Sequence, residues 1–110
     1  MNYADLKRKL DALQSDRDRL LASGDILCGC WLDSTKARGI NYRRLRVWRD
    51  GKATVDRILK PQEVATIASA IDRGKQLKKI DRDISKTVKA IDRVAAAAAK
   101  LGIPLDRMAR

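Results

Sequence analysis

Ile40-Asn41-Tyr42-Arg43-Arg44-Leu45-Arg46-Val47-Trp48-Arg49-Asp50-Gly51-Lys52-Ala53-Thr54-Val55-Asp56-Arg57-Ile58-Leu59 is the stretch that decides the fold. Two runs rich in β-branched, aromatic and arginine residues flank Asp50-Gly51. Both central residues of a two-residue hairpin turn need positive φ, which Asp and Gly tolerate. The pattern predicts strands over Ile40–Arg49 and Lys52–Leu59. Alternation puts Tyr42, Arg44, Arg46 and Trp48 on one face of the first strand, and Arg43, Leu45 and Val47 on the other. Upstream, the apolar run 26–32 is bounded by Asp25 and Asp33 and reads as a further strand, with 34–39 as a turn or loop. Residues 25–60 are therefore expected to form a three-stranded antiparallel meander.

Helical periods lie on both sides. In residues 1–23, Tyr3, Leu6, Leu10, Leu13 and Leu20 recur at steps of three and four, and Arg17 takes the one missing slot. This is a narrow amphipathic seam that ends at Ser23-Gly24. Pro61 opens a second helix, Glu63 suits its first turn, and Gly102 and Pro104 stop it. That helix, 61–102, carries Val64, Ile67, Ile71, Leu77, Ile80, Ile84, Ile91, Val94, Ala98 and Leu101. At about 100° per residue Ile71 and Ile80 lie half a turn apart. Either the helix bends at Gly74, or its halves face different partners. The first half is expected on the sheet and the first helix, the second half as a coiled-coil arm. The first helix is half as long and leaves that arm's seam uncovered. Leu77, Ile80, Ile84, Ile91, Val94 and Ala98 are thus the expected homodimer interface, with the run 95–99 of alanines allowing close approach. Residues 103–110 read as a tail. The whole is predicted to be one small α+β domain.

Composition narrows the chemistry. The chain has 110 residues, 45% of them hydrophobic, too many for a disordered polyelectrolyte. It has no Phe and no His, so its core is aliphatic, and His-dependent triads and His-ligated metals are excluded. No apolar run reaches the ~18 residues a membrane span needs. The first twenty residues alternate charge with Leu, unlike a signal peptide, and a cytoplasmic location is expected. Cys28 and Cys30, two apart on the predicted strand, point to one face and are poorly placed for a mutual disulfide. Two thiolates alone do not close a zinc site, and a four-cysteine site would need a second chain. They read as small buried apolar residues. No carboxylate pair, tuned lysine or phosphate-cradling glycine loop is present, so no enzyme activity, catalytic residue, metal or cofactor is expected.

Charge carries the functional signal. Lys+Arg number 25 against 14 Asp+Glu, a net charge of +11. Residues 36–60 alone are net +7, with Lys36, Arg38, Arg43, Arg44, Arg46, Arg49, Lys52, Arg57 and Lys60 against Asp50 and Asp56. Guanidinium groups between Tyr42 and Trp48 suit phosphates and bases. A second group, Lys75, Lys79, Arg82, Lys86, Lys89 and Arg93, follows steps of four and three down the long helix. Such a one-sign stripe repels itself unless an anionic partner lies along it. The leading expectation is a non-enzymatic protein that binds DNA or RNA through the hairpin and the stripe. The alternative is an interaction or regulatory module, an accessory of a phage, mobile element or toxin system, that binds a protein partner through the long helix.

Gly24-Asp25-Ile26-Leu27, the Cys28/Cys30 pair, Tyr42, Gly51-Lys52 and Pro61 ahead of a long charged helix resemble a group of small basic bacterial proteins often found beside mobile elements. The resemblance spans roughly residues 23–90 and implies the order helix, hairpin, long helix, with no assigned activity. Where that group carries more cysteines and a His-Gly-Pro-Tyr run, this chain has Gly39-Ile40-Asn41-Tyr42.

Overall fold

The structure, a computed structural model, describes residues 2–104. Met1 and the part of the expected tail from residue 105 on lie outside the described residues. The element order is α1 (Tyr3–Ala22), β1 (Cys30–Ala37), β2 (Ile40–Arg49), β3 (Lys52–Leu59) and α2 (Pro61–Leu101). This is the α+β arrangement predicted, with an antiparallel sheet in the order β1-β2-β3. No helix among the described residues is long and apolar enough to cross a membrane.

Two tight turns set the sheet. Asp50 and Gly51 have φ of 52° and 75°, and Arg38 and Gly39 have 51° and 78°. Both pairs are two-residue connections with two left-handed positions, whose twist matches that of the strands. The second turn corrects the expected first strand. β1 starts at Cys30 rather than residue 26 and runs through residues expected to be loop, pairing Cys30 with Val47 and Ala37 with Ile40. The segment before β1 is apolar for a different reason: at Leu27 it lies against α2, where the Leu27 N–H donates to the Ala70 carbonyl at 3.0 Å. Between β2 and β3 the register shifts by one. Arg57 pairs with Leu45 and Val55 with Arg46, so Asp56 is the extra residue of a bulge.

The chain divides into two compact units. Gly24–Gln76 is one, and α1 with the part of α2 from Leu77 onward is the other. In the sheet unit Leu45, Leu59 and Ile71 form the buried core, with Leu27, Cys30, Leu32, Val64 and Ile67 packed around it. Gly74 serves this packing. A Cβ there would lie 2.0 Å from the Leu27 carbonyl oxygen, so only glycine lets the segment before β1 approach the helix. α2 continues through this position as one unbroken helix of 41 residues.

In the other unit α1 partners the second half of α2 and not, as expected, the first. The seam of that half is Leu77, Ile80, Ile84, Thr87, Ile91, Val94, Ala98 and Leu101, an unbroken run of threes and fours. Thr87 fills the slot without an aliphatic side chain. It is 3% exposed and its hydroxyl donates to the Asp83 carbonyl at 2.8 Å. Arg17, the polar member of the α1 seam, donates through Nε to Asp81 at 2.7 Å. With that pair at the C-terminal end of α1 and Leu6 buried near its start, the helices run antiparallel.

Candidate nucleic-acid interface

The face of the sheet turned away from the core is built as the alternation predicts. Tyr42, Arg44, Arg46 and Trp48 share it, and pairing adds Trp31 and Asp33 from β1 with Val55 and Ile58 from β3. Its chemistry differs from the expected open phosphate site. Arg44 donates Nε and Nη2 to the two carboxylate oxygens of Asp33 at 2.8 and 2.9 Å, and Arg46 Nη1 donates to the same carboxylate at 3.2 Å. The Arg44 hydrogen bond, more than the Arg46 one, holds the Asp33 carboxyl below its usual range, and in return raises Arg44. The two guanidinium side chains are only 24% and 22% exposed. Arg46 also donates to the Ala53 carbonyl at 3.2 Å and lies 6.0 Å from the centre of the Trp31 ring. These two arginines are therefore committed to an internal bidentate clamp. The aromatic part stays open: Trp48 is 62% exposed and packs against Trp31 with ring centres 5.6 Å apart.

The other hairpin cations divide in the same way. Arg49 pairs with the bulge residue Asp56, and Arg57 with Glu63. Arg43 reaches only the Ser34 hydroxyl, at 3.4 Å. Lys36, Arg38 and Lys52 are exposed and form no ion pair with the described residues. Lys75, on the part of α2 in this unit, is likewise exposed and unpaired.

In the helical unit the stripe lies in the open. Lys79, Arg82, Lys86, Lys89 and Arg93 are all exposed, and none is in an ion pair with the described residues. At about 100° per residue they centre on the side of α2 opposite the seam that α1 covers. Asp81 is spent on Arg17 and does not neutralise them. The same angle puts Lys100, which the four-three reading stopped short of, on this face. The two alanines at 96 and 97 interrupt the series and hid it.

The residues assigned to a homodimer are already partly covered within one chain. Leu77, Ile80, Ile84, Ile91 and Val94 are half-buried and Ala98 is buried. Cys28 is exposed in the segment before β1 rather than buried on a strand, and Cys30 is half-buried. No three His, Cys, Asp or Glu side chains among the described residues converge to hold a metal ion. Comparison with protein-family models, with curated proteins and with solved structures finds no match to this chain.

Proposed function

We propose that this chain is a non-enzymatic nucleic-acid-binding protein whose main phosphate contacts come from the α2 stripe. The observation that carries the reading is the row of exposed, unpaired cations Lys79, Arg82, Lys86, Lys89 and Arg93 on one helix face. Five like charges at spacings of three and four repel by a few tenths of a kcal/mol per neighbouring pair, and a polyanion offsets that cost. Lys36, Arg38 and Lys52 supplement the stripe from the sheet unit, while Tyr42 and Trp48 offer ring faces to bases. Arg44 and Arg46 have a supporting part, since Asp33 holds them. Contacts of this kind provide affinity more than sequence choice.

The test is fluorescence anisotropy with labelled single- and double-stranded DNA and RNA between about 50 and 200 mM salt. Binding that weakens steeply with salt is the expected outcome. Absence of binding at the lowest salt overturns the reading.

The half-buried seam favours a second function alongside this one. Two copies of the α1–α2 pair would complete their apolar faces as a four-helix bundle, a homodimer through Leu77, Ile80, Ile84, Ile91 and Val94. The exposed Leu21 and Val88 suit that assembly or a helical protein partner. An accessory of a mobile element, phage or toxin system would use both properties.

A further inference from the structure

The sheet unit carries a second feature that the charge stripe does not absorb. β3 pairs with β2 only from Arg43 to Arg49, because the chain leaves the sheet after Leu59 and enters α2 at Pro61. Residues 40–42 therefore pair with β1 on one side and, among the described residues, with no strand on the other. Across the two-residue turn Ala37 and Ile40 are the hydrogen-bonded pair, as are Thr35 and Tyr42 two positions on. Asn41 between them thus directs its N–H and C=O away from β1, toward the place where β3 has ended.

A groove of about 630 Å³ occupies that place, with an apolar floor of Ile40, Tyr42, Ile58, Leu59, Pro61 and Val64. The volume is in the range of small-ligand and peptide sites. Ile40 and Ile58 are more than half exposed here. Arg43, whose guanidinium meets only the Ser34 hydroxyl among the described residues, and Lys60 also line it. Glu63 accepts from Arg57 at 2.9 Å and from the Lys60 backbone N–H at 3.1 Å, and the Lys60 ammonium forms no ion pair with the described residues.

We infer that this groove docks an extended peptide segment of alternating apolar and acidic residues. The segment adds as a short strand beside residues 40–42, sets an apolar side chain on the floor and a carboxylate against Arg43 and Lys60. Three features select that chemistry: a backbone edge that another extended backbone matches, an apolar floor, and two cations with no carboxylate partner among the described residues. Strand addition takes affinity from main-chain hydrogen bonds and specificity from the alternate side-chain pockets. The site is separate from the helical stripe and does not depend on nucleic-acid binding.

The experiment titrates the full-length ¹⁵N-labelled protein with a capped hexapeptide alternating valine and glutamate, read by amide shifts and hydrogen exchange. Shifts confined to residues 40–43 and 58–64, with the Asn41 amide slowed at least tenfold in exchange at saturation, are expected. Asn41→Pro removes the N–H that receives the strand and abolishes binding. As that variant risks misfolding, Arg43→Glu with Lys60→Glu provides the second test and weakens binding at least tenfold. A variant with Arg82, Lys86 and Lys89 changed to Gln binds the peptide unchanged, which separates this site from the stripe. Shifts centred on α2 beyond Leu77, or affinity indifferent to the Arg43/Lys60 reversal, overturn the proposal.

Discussion

Replacing Arg82, Lys86 and Lys89 by Gln takes the middle three cations out of the stripe while leaving Lys79 and Arg93 in place. From Lys79 to Arg93 the helix rises about 21 Å, at 1.5 Å per residue, so the five charges lie along one side of a polyanion at once. Neutralising five duplex phosphates gives a slope of log K against log salt of about −4.5, and a fourfold rise in salt then weakens binding about 500-fold. With two phosphates left the slope falls to about −1.8, and the same rise costs about 12-fold. The side chains are exposed and Gln is a good helix former, so the fold is kept. Removing like-charge neighbours even favours the helix by a few tenths of a kcal/mol per pair. The assay is anisotropy of a labelled 20-base-pair duplex between about 50 and 200 mM salt, with circular dichroism to check the helix. A triple variant whose slope equals that of the parent chain refutes the reasoning and moves the phosphates to Lys36, Arg38 and Lys52.

Further outcomes test the fold that carries these charges. Gly74→Ala drives a methyl into the Leu27 carbonyl, and overpacking of about 3 kcal/mol, less about 1 kcal/mol of helix propensity, leaves a net loss near 2 kcal/mol in urea unfolding. Thr87→Val removes a hydroxyl bonded only to its own helix and puts a methyl in the seam, and is expected to raise stability by about 1 kcal/mol in the same assay. The Asp33 carboxyl is held low in the folded chain, so the stability it contributes is present above its unfolded value of 3.8 and is lost as pH falls through the lower folded one. Tryptophan fluorescence, from Trp31 and Trp48 beside this clamp, therefore changes below about pH 4 in the parent chain, and Asp33→Asn removes that transition.

Much of this was legible in the residues, and the parts that were not have physical causes. Asp50-Gly51 marked one turn because both residues accept left-handed backbone. Arg38-Gly39 builds the same turn with an arginine at the first left-handed position, where the side chain gives no signal. The hidden turn displaced β1, and with it the pairing of Asp33 opposite Arg44, which is why two clamped arginines read as free ones. The apolar run before Cys30 looked like a strand because period alone does not separate a paired residue from one, like Leu27, set against a helix. The half-turn offset between Ile71 and Ile80 did foretell that the halves of α2 have different partners. Which half takes α1 was not decidable from length, since both halves present an aliphatic stripe. The stripe was readable as far as Arg93, because exposed charges at helical spacing need no tertiary information to be placed, and only Lys100 beyond the two alanines was missed.

One consequence follows from the order in which the two units occur along the chain. The sheet unit lies, in sequence, wholly inside the connection between α1 and the helix that completes its seam. During synthesis α1 emerges before the insert and has no partner until the part of α2 from Leu77 onward exists. Its pairing then closes a connection of ~50 residues, and if the insert were a free coil this would cost about 2.5 kcal/mol more than closing a three-residue loop. Folding of the insert removes most of that entropy in advance, because the Arg73 guanidinium holds the Asp25 carbonyl at 3.1 Å and so fastens the two ends of the insert together. The sheet unit is thus a clasp for its neighbour's assembly: built on two local hairpins and the first turns of α2, it turns a distant encounter of two helices into a short one.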